Sequence, residues 1–113
     1  MYPGLQTGDL SDDNLKFARQ IGVENVVTSN LGELIPEGQK SWTKDALLKM
    51  REQTEKHGIK VDVVALPLSS HYIERAENPN IMLGTPERDQ EIEAICECIR
   101  AAGEAGIPCL KYN

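Results

Sequence analysis

Three stretches of this chain repeat one event: a helix-like run stops at a glycine and a short apolar run follows. They are Gln20-Ile21-Gly22-Val23-Glu24-Asn25-Val26-Val27, Lys56-His57-Gly58-Ile59-Lys60-Val61-Asp62-Val63-Val64 and Glu104-Ala105-Gly106-Ile107-Pro108-Cys109-Leu110. Glycine suits the left-handed position just past a helix end, where a Cβ is costly. The apolar, β-branched runs behind it read as strands covered on both faces. Repeated three times, the pattern is the αβ half of a βα unit.

The helix starts agree. Ser11 reads as an N-cap, with Leu10 and Leu15 placed as a hydrophobic staple, and Thr43 repeats the arrangement with Trp42 and Leu47. Thr85-Pro86-Glu87 predicts a third start: a capping hydroxyl, proline at the first helical position and an acid at the positive helix end. In that helix Ile92, Ile95, Ile99 and Ala102 form an apolar stripe, which leaves Glu91, Glu93, Glu97 and Arg100 for the polar face.

The expected order is strand 3–7, helix 12–21, strand 24–29, helix 44–57, strand 60–66, helix 86–105 and strand 108–112. Regular alternation implies parallel strands joined by right-handed crossovers. Two α/β architectures accept it: a small doubly wound sheet, or the first half of an eight-stranded (β/α)8 barrel. In both, ligands bind beyond the carboxyl ends of the strands. Residues 28–42 and 67–85 are the long loops at that end, while the opposite connections are little more than a glycine.

Size and charge narrow the classes. At 113 residues the chain is one domain with one modest core. Its net charge of −6 argues against nucleic acid and anionic membrane surfaces, which call for clustered Lys and Arg. No window approaches the ~18 apolar residues of a membrane span, and the start lacks the basic and apolar regions of a signal peptide. Cys96, Cys98 and Cys109 are odd in number, and the first two point apart on a helix, so buried reduced thiols in a cytoplasmic protein are expected.

Chemical motifs are sparse. The chain has no Gly-x-Gly-x-x-Gly, no phosphate loop, no nucleophile elbow and no metal-ligand spacing of its two histidines. His57 falls in a last helical turn, where a cation meets the negative helix end. His71, in Pro67-Leu68-Ser69-Ser70-His71-Tyr72, follows the third strand on the ligand-binding end. Asn30 and Asn113 end the second and fourth strands. An asparagine there either contacts a sugar hydroxyl or ends the strand on its own backbone. Glu33, Glu37, Glu74 and Glu77 read as solvated loop acids.

Leu83-Gly84-Thr85-Pro86-Glu87-Arg88-Asp89-Gln90-Glu91-Ile92-Glu93 resembles the Gly-x-Pro-x-Arg-Asp segment of mannonate dehydratases. In that family an apolar strand ending in Tyr-Asn follows about twenty residues later, where this chain has Cys109-Leu110-Lys111-Tyr112-Asn113. Val26-Val27-Thr28 and the loop Ile35-Pro36-Glu37-Gly38 before Trp42 are similar to the second strand and the loop after it. Val63-Val64 and His71 loosely match the third strand and beyond. The first strand departs, with Tyr2-Pro3-Gly4-Leu5 where the family often carries an aromatic pair.

The resemblance covers nearly the whole chain but only the first part of the family's sequence. It implies the amino-terminal half-barrel, residues 1–113, of a single xylose-isomerase-like TIM-barrel domain. It also implies a divalent metal, manganese or iron, and the dehydration of D-mannonate to 2-dehydro-3-deoxy-D-gluconate in hexuronate catabolism. The family's metal ligands are His, Cys and Asp residues on later strands; Cys109 is not a match for the ligand cysteine, so no metal ligand is expected here. Asn113, His71 and Asn30 are the candidate substrate contacts, in that order. Two alternatives stay open: a sugar isomerase or epimerase of the same barrel group, and a non-enzymatic α/β domain that self-associates through its open barrel edges.

Overall fold

The protein is described here by a computed structural model covering residues 1–29, 31–68 and 71–112. Gly22, Gly58 and Gly106 all take the left-handed conformation, with φ of 87°, 70° and 72°. After each, the next residue's N–H reaches back five positions: Val23 to the Ala18 carbonyl (2.9 Å), Ile59 to Thr54 (3.1 Å) and Ile107 to Ala102 (3.0 Å). The glycine N–H groups close the inner bonds to Arg19, Glu55 and Gly103 at 3.0–3.1 Å. This is one Schellman motif three times over. Ala18, Thr54 and Ala102, which accept the long bond, are buried, so each incoming strand is seated against a small residue of the helix it leaves.

The elements are β1 (Leu5–Thr7), α1 (Asp12–Gln20), β2 (Asn25–Thr28), α2 (Leu31–Leu34), α3 (Lys44–Glu55) and β3 (Lys60–Ala65). A 3-10 turn (Ile73–Arg75), α4 (Pro79–Leu83), α5 (Arg88–Glu104) and β4 (Cys109–Lys111) complete them. The predicted strands and long helices are present within one or two residues of their expected ends. Ser11 Oγ accepts from the Asn14 N–H and Thr43 Oγ1 from the Ala46 N–H, and the staple residues Leu10, Leu15, Trp42 and Leu47 are all buried.

The four strands are parallel and stand in the order β1-β2-β3-β4. A doubly wound sheet reverses its strand order at a switch point; a monotonic order with right-handed crossovers keeps every helix on one face. Burial agrees. Val26, Thr28, Val61 and Val64 are buried, and the three valines share a core with Leu15, Leu47, Met50, Ile95 and Cys98 of the long helices. Val27, Val63 and Ala65, on the other face, are half-buried. The expectation of strands covered on both faces is therefore corrected. This is a singly wound α/β sheet, a partial TIM barrel whose interior face is not closed by these residues. A bulge at Asp62, between partners Val26↔Val61 and Val27↔Val63, increases the local twist.

Two further expectations fail in α5. Thr85 does not cap it: its Oγ1 donates to Asn80 Oδ1 (2.9 Å), and the helix begins at Arg88 after a turn with no side-chain cap. The buried face is Glu91, Ala94, Ile95, Cys98 and Ala102, while Ile92 and Ile99 are 44% and 48% exposed. The small residues Ala94, Cys98 and Ala102 let the helix sit close to the sheet, and Trp42 Nε1 donates to the Cys98 carbonyl (2.9 Å). One flank of α5 packs against α3, and on it Glu97 accepts from Ser41 Oγ of the loop that leads into α3 (2.9 Å). Ile99 projects roughly 160° away from Glu97 around the helix. Phe17 on α1 and Ile21 at its C-cap are likewise exposed, away from the flank where Asp12 meets His57 and Gln53 of the α3 end. Both outer helices thus carry an apolar outer flank.

Cys98 is buried, Cys96 half-buried and Cys109 exposed, all as free thiols, so burial holds fully for one of the three. Burial raises the Cys98 pKa above its ordinary value. No described helix is long and apolar enough to cross a membrane.

Candidate functional site

The carboxyl ends of β2 and β3 deliver the chain into the two long loops. The first carries α2; the second carries the 3-10 turn and α4. Their ordering rests on Glu91, in the first turns of α5 and only 3% exposed. Asn80 Nδ2 donates to its Oε1 (2.7 Å), the Ile81 backbone N–H donates to Oε2 (3.1 Å), and the Lys40 ammonium lies 3.6 Å from Oε1. Burial alone would raise the Glu91 pKa. The Asn80 amide, the Ile81 N–H and the Lys40 charge outweigh it and hold the carboxyl below its ordinary value. One carboxylate thereby fixes α4 against α5 and draws the end of the first loop to both.

A second anchor lies beside it. Asn78, 4% exposed, donates from Nδ2 to the Pro67 carbonyl (2.8 Å), which ties the far end of the second loop to its start. Its Oδ1 is the only buried side-chain polar atom without a partner among the described residues. Leaving such an atom unpaired costs about 1–3 kcal/mol. Between the loops is a cavity of about 240 Å³, walled by Ile35, Gln39 and Lys40 on one side and Pro67, Glu77 and Asn78 on the other. A larger one, about 380 Å³, is lined chiefly by α2 and α3 residues such as Leu34, Asp45, Lys49 and Met50, in the helix layer.

His71 is exposed, at the start of the segment leading to the 3-10 turn, and is not part of either cavity wall. Asn30 and Asn113 lie outside the described residues. Glu33, Glu37 and Glu74 are exposed as expected, but Glu77 is half-buried and engaged, a correction to its reading as a solvated acid. His57 does not cap its own helix: Nε2 meets Asp12 Oδ1 at 2.8 Å, bridging the end of α3 to the start of α1. That hydrogen bond is the main cause of a lowered Asp12 pKa. Asn80, Asn78 and Lys40 were not singled out by sequence reasoning, and Glu91, expected on the polar face of its helix, is instead buried. The available signal was Asn78-Pro79-Asn80, two loop-forming asparagines around a proline, close before a long helix.

The decisive comparison is with protein families: the model described as D-mannonate dehydratase (UxuA) matches residues 8–113. The chain belongs to the mannonate dehydratase family. It is 36% identical over 100 residues to the mannonate dehydratase of Thermotoga petrophila, a match covering 88% of this chain and 25% of that protein. Mannonate dehydratase 1 of Halalkalibacterium halodurans gives 35% over 101 residues with the same coverage. Among solved structures, the crystal structure of mannonate dehydratase from Streptococcus suis serotype 2 superposes with a TM-score of 0.76 at 25% identity, covering all of this chain and 30% of that one. The chain thus spans about a quarter of the length of the curated relatives it matches. Both the resemblance seen in the sequence and the partial barrel are borne out.

Within this mannonate dehydratase family member, no group of three or more His, Cys, Asp or Glu among the described residues is placed to hold a metal ion. The nearest to a polar centre is Glu91, and its oxygens are already taken by the Asn80 amide, the Ile81 N–H and the Lys40 ammonium. The described residues do not fit the divalent cation associated with the family. What they build is a braced pair of loops at the ligand-binding end of the sheet.

Proposed function

We propose that residues 1–113 form the amino-terminal half-barrel of a mannonate dehydratase and supply part of its sugar-acid pocket without its chemistry. The observation that carries this reading is the monotonic parallel sheet with both long loops at one end, within a chain that belongs to the family along residues 8–113. The reaction is loss of water from D-mannonate to give 2-dehydro-3-deoxy-D-gluconate. A divalent cation, manganese or iron, would supply Lewis acidity to it, held by residues outside 1–113.

This chain's part is positional. The loop beyond β3, with His71, and the strand-end residues Asn30 and Asn113 would face the substrate and exclude water from it. A cytoplasmic setting fits a sugar-acid substrate drawn from central catabolism. The apolar outer flanks, Phe17 on α1 with Ile21 at its C-cap, and Ile92 and Ile99 on α5, would be covered by further barrel helices or by a second copy.

The test is an assay of the 113-residue chain with D-mannonate and manganese. The half-barrel reading expects no product; turnover by these residues alone would overturn it.

A further inference from the structure

We propose that a second copy of this chain can close the open barrel, the two four-stranded sheets being related by a two-fold axis along the barrel axis. Each copy then sets β4 and α5 against β1 and α1 of the other. This rests on the half-barrel reading above and names an occupant for its open edges and apolar flanks.

The strands set the geometry. Four parallel strands in sequence order are half of an eight-stranded barrel. β1 and β4 are the end strands, each three residues long, and neither has a neighbour on its outer edge among the described residues. Rotation about the barrel axis keeps strand direction, so β4 of one copy meets β1 of the other in parallel. The same rotation makes the second junction, and the ring closes after two copies with no edge left over.

The helix layer repeats the match. At about 100° per residue, Ile92, Ile99 and Arg88 lie roughly 140–180° around α5 from Glu97, which marks the flank toward α3. On α1, Phe17 and the C-cap residue Ile21 stand about 140° and 180° from Asp12, which meets the α3 end. The four apolar side chains are 44–60% exposed, so neither flank is covered within one copy. In the closed ring the two flanks face each other, apolar on apolar.

Charge selects this orientation. Asp13 lies in the first turn of α1 and Arg88 opens α5, so both sit at the carboxyl-end rim of the sheet. Each precedes an apolar flank residue, Phe17 or Ile92, by four positions, about one helical turn. Helices aligned side by side therefore bring carboxylate and guanidinium to one height. Arg88 already touches the adjacent Asp89 at 3.6 Å, with both side chains exposed, and its five donors can hold a second carboxylate. Each copy carries a net −6, which opposes association in general. Packing α1 on α1, or α5 on α5, would add like charges at the rim; α5 on α1 places opposite ones there.

The experiment is sedimentation of the 113-residue chain and of two charge variants, Arg88→Glu and Asp13→Arg, each checked for folding by blue-shifted Trp42 emission. The parent should form a dimer, twice the 12.5 kDa of one chain, and nothing larger. Either variant alone sets like charges across both junctions and should dissociate about tenfold more readily. Their 1:1 mixture restores both junctions: the native Arg88 and Asp13 meet at one and the two introduced charges at the other. The mixture should dimerise within about threefold of the parent, the scatter of additive surface changes. A parent that stays monomeric, an open series of larger assemblies, undiminished association of either variant, or a mixture no tighter than its components would each overturn the proposal. Failure of the half-barrel reading looks different. A chimera in which residues 8–113 replace the matched segment of the Thermotoga petrophila relative would then lack D-mannonate turnover while the 113-residue chain still formed its dimer.

Discussion

Asn80 and Glu91, eleven residues apart, meet at 2.7 Å through an amide donor and a buried carboxylate, and this pair holds the second long loop onto the helix that follows it. Asn80 also receives the Thr85 hydroxyl on its Oδ1 and the Gly84 and Thr85 N–H groups on its backbone carbonyl. The loop is therefore organised from within.

Replacing Glu91 by Ala strands the Asn80 amide and the Ile81 N–H, at about 1–3 kcal/mol for an unsatisfied buried donor. The Lys40 ammonium is 58% exposed and simply returns to water. Denaturant unfolding should show Glu91→Ala less stable by about 2–3 kcal/mol. Glu91→Gln should lose less, since its carbonyl still accepts one of the two bonds.

Acid should act through the same groups. The folded pKa values of Glu91, Asp12 and Asp9 are all depressed: Glu91 where the Asn80, Ile81 and Lys40 contacts outweigh burial, Asp12 mainly by its bond to His57, and Asp9 by the Ser11 backbone N–H. A depressed carboxyl contributes stability that is present above its unfolded value and lost as pH falls through the folded one. Unfolding free energy should therefore be insensitive to these groups above about pH 5 and fall below about pH 4. Glu91→Gln should flatten part of that fall.

The three helix-ending glycines should not be equivalent. A Cβ on Gly106 would come within 2.9 Å of the Arg51 guanidinium, which donates to the Ala105 carbonyl at 2.6 Å; a Cβ on Gly22 would meet nothing within 4 Å. Both substitutions to Ala carry about 1–2 kcal/mol for a left-handed residue. Gly106→Ala should cost more because it also displaces Arg51. Paired melting curves of the two variants check this.

Trp42 is the chain's single tryptophan and is 2% exposed, so its emission should be blue-shifted and report unfolding directly. Trp42→Phe keeps most of the apolar volume but leaves the Cys98 carbonyl without the indole donor. The expected loss is about 1–3 kcal/mol, against about 3–5 kcal/mol for Trp42→Ala.

The sequence announced its backbone rhythm better than its side-chain contacts. Gly22, Gly58 and Gly106 marked the helix ends because a left-handed residue is a local requirement that few residue types meet. Ser11 and Thr43 marked two helix starts for a similar reason. The third start failed because Thr85 had a competing partner, Asn80, on a short helix that no periodicity signals. Glu91 was misread for the same cause: its burial depends on donors from Asn80, Ile81 and Lys40, contacts set by how the loops fold back. Ile92 and Ile99 looked like core because helical spacing alone does not say which flank faces the sheet. For the site, the long loops pointed to the right end of the sheet. Asn78 and Lys40 became visible only when two loops distant in sequence were brought together.

Those exposed isoleucines have a measurable consequence. Replacing Ile92 and Ile99 by Gln should change stability by no more than about 0.5 kcal/mol, as for ordinary surface sites. Sedimentation of the parent chain should show concentration-dependent association through its apolar flanks, and the double variant should shift toward monomer.

The half-barrel account is tested most directly by the chimera that carries residues 8–113 in place of the matched segment of the Thermotoga petrophila mannonate dehydratase. With manganese, it should form 2-dehydro-3-deoxy-D-gluconate from D-mannonate at a rate within about tenfold of the parent, a barrier difference near 1.4 kcal/mol. A chimera that folds, with Trp42 emission blue-shifted, yet yields no product would contradict the account.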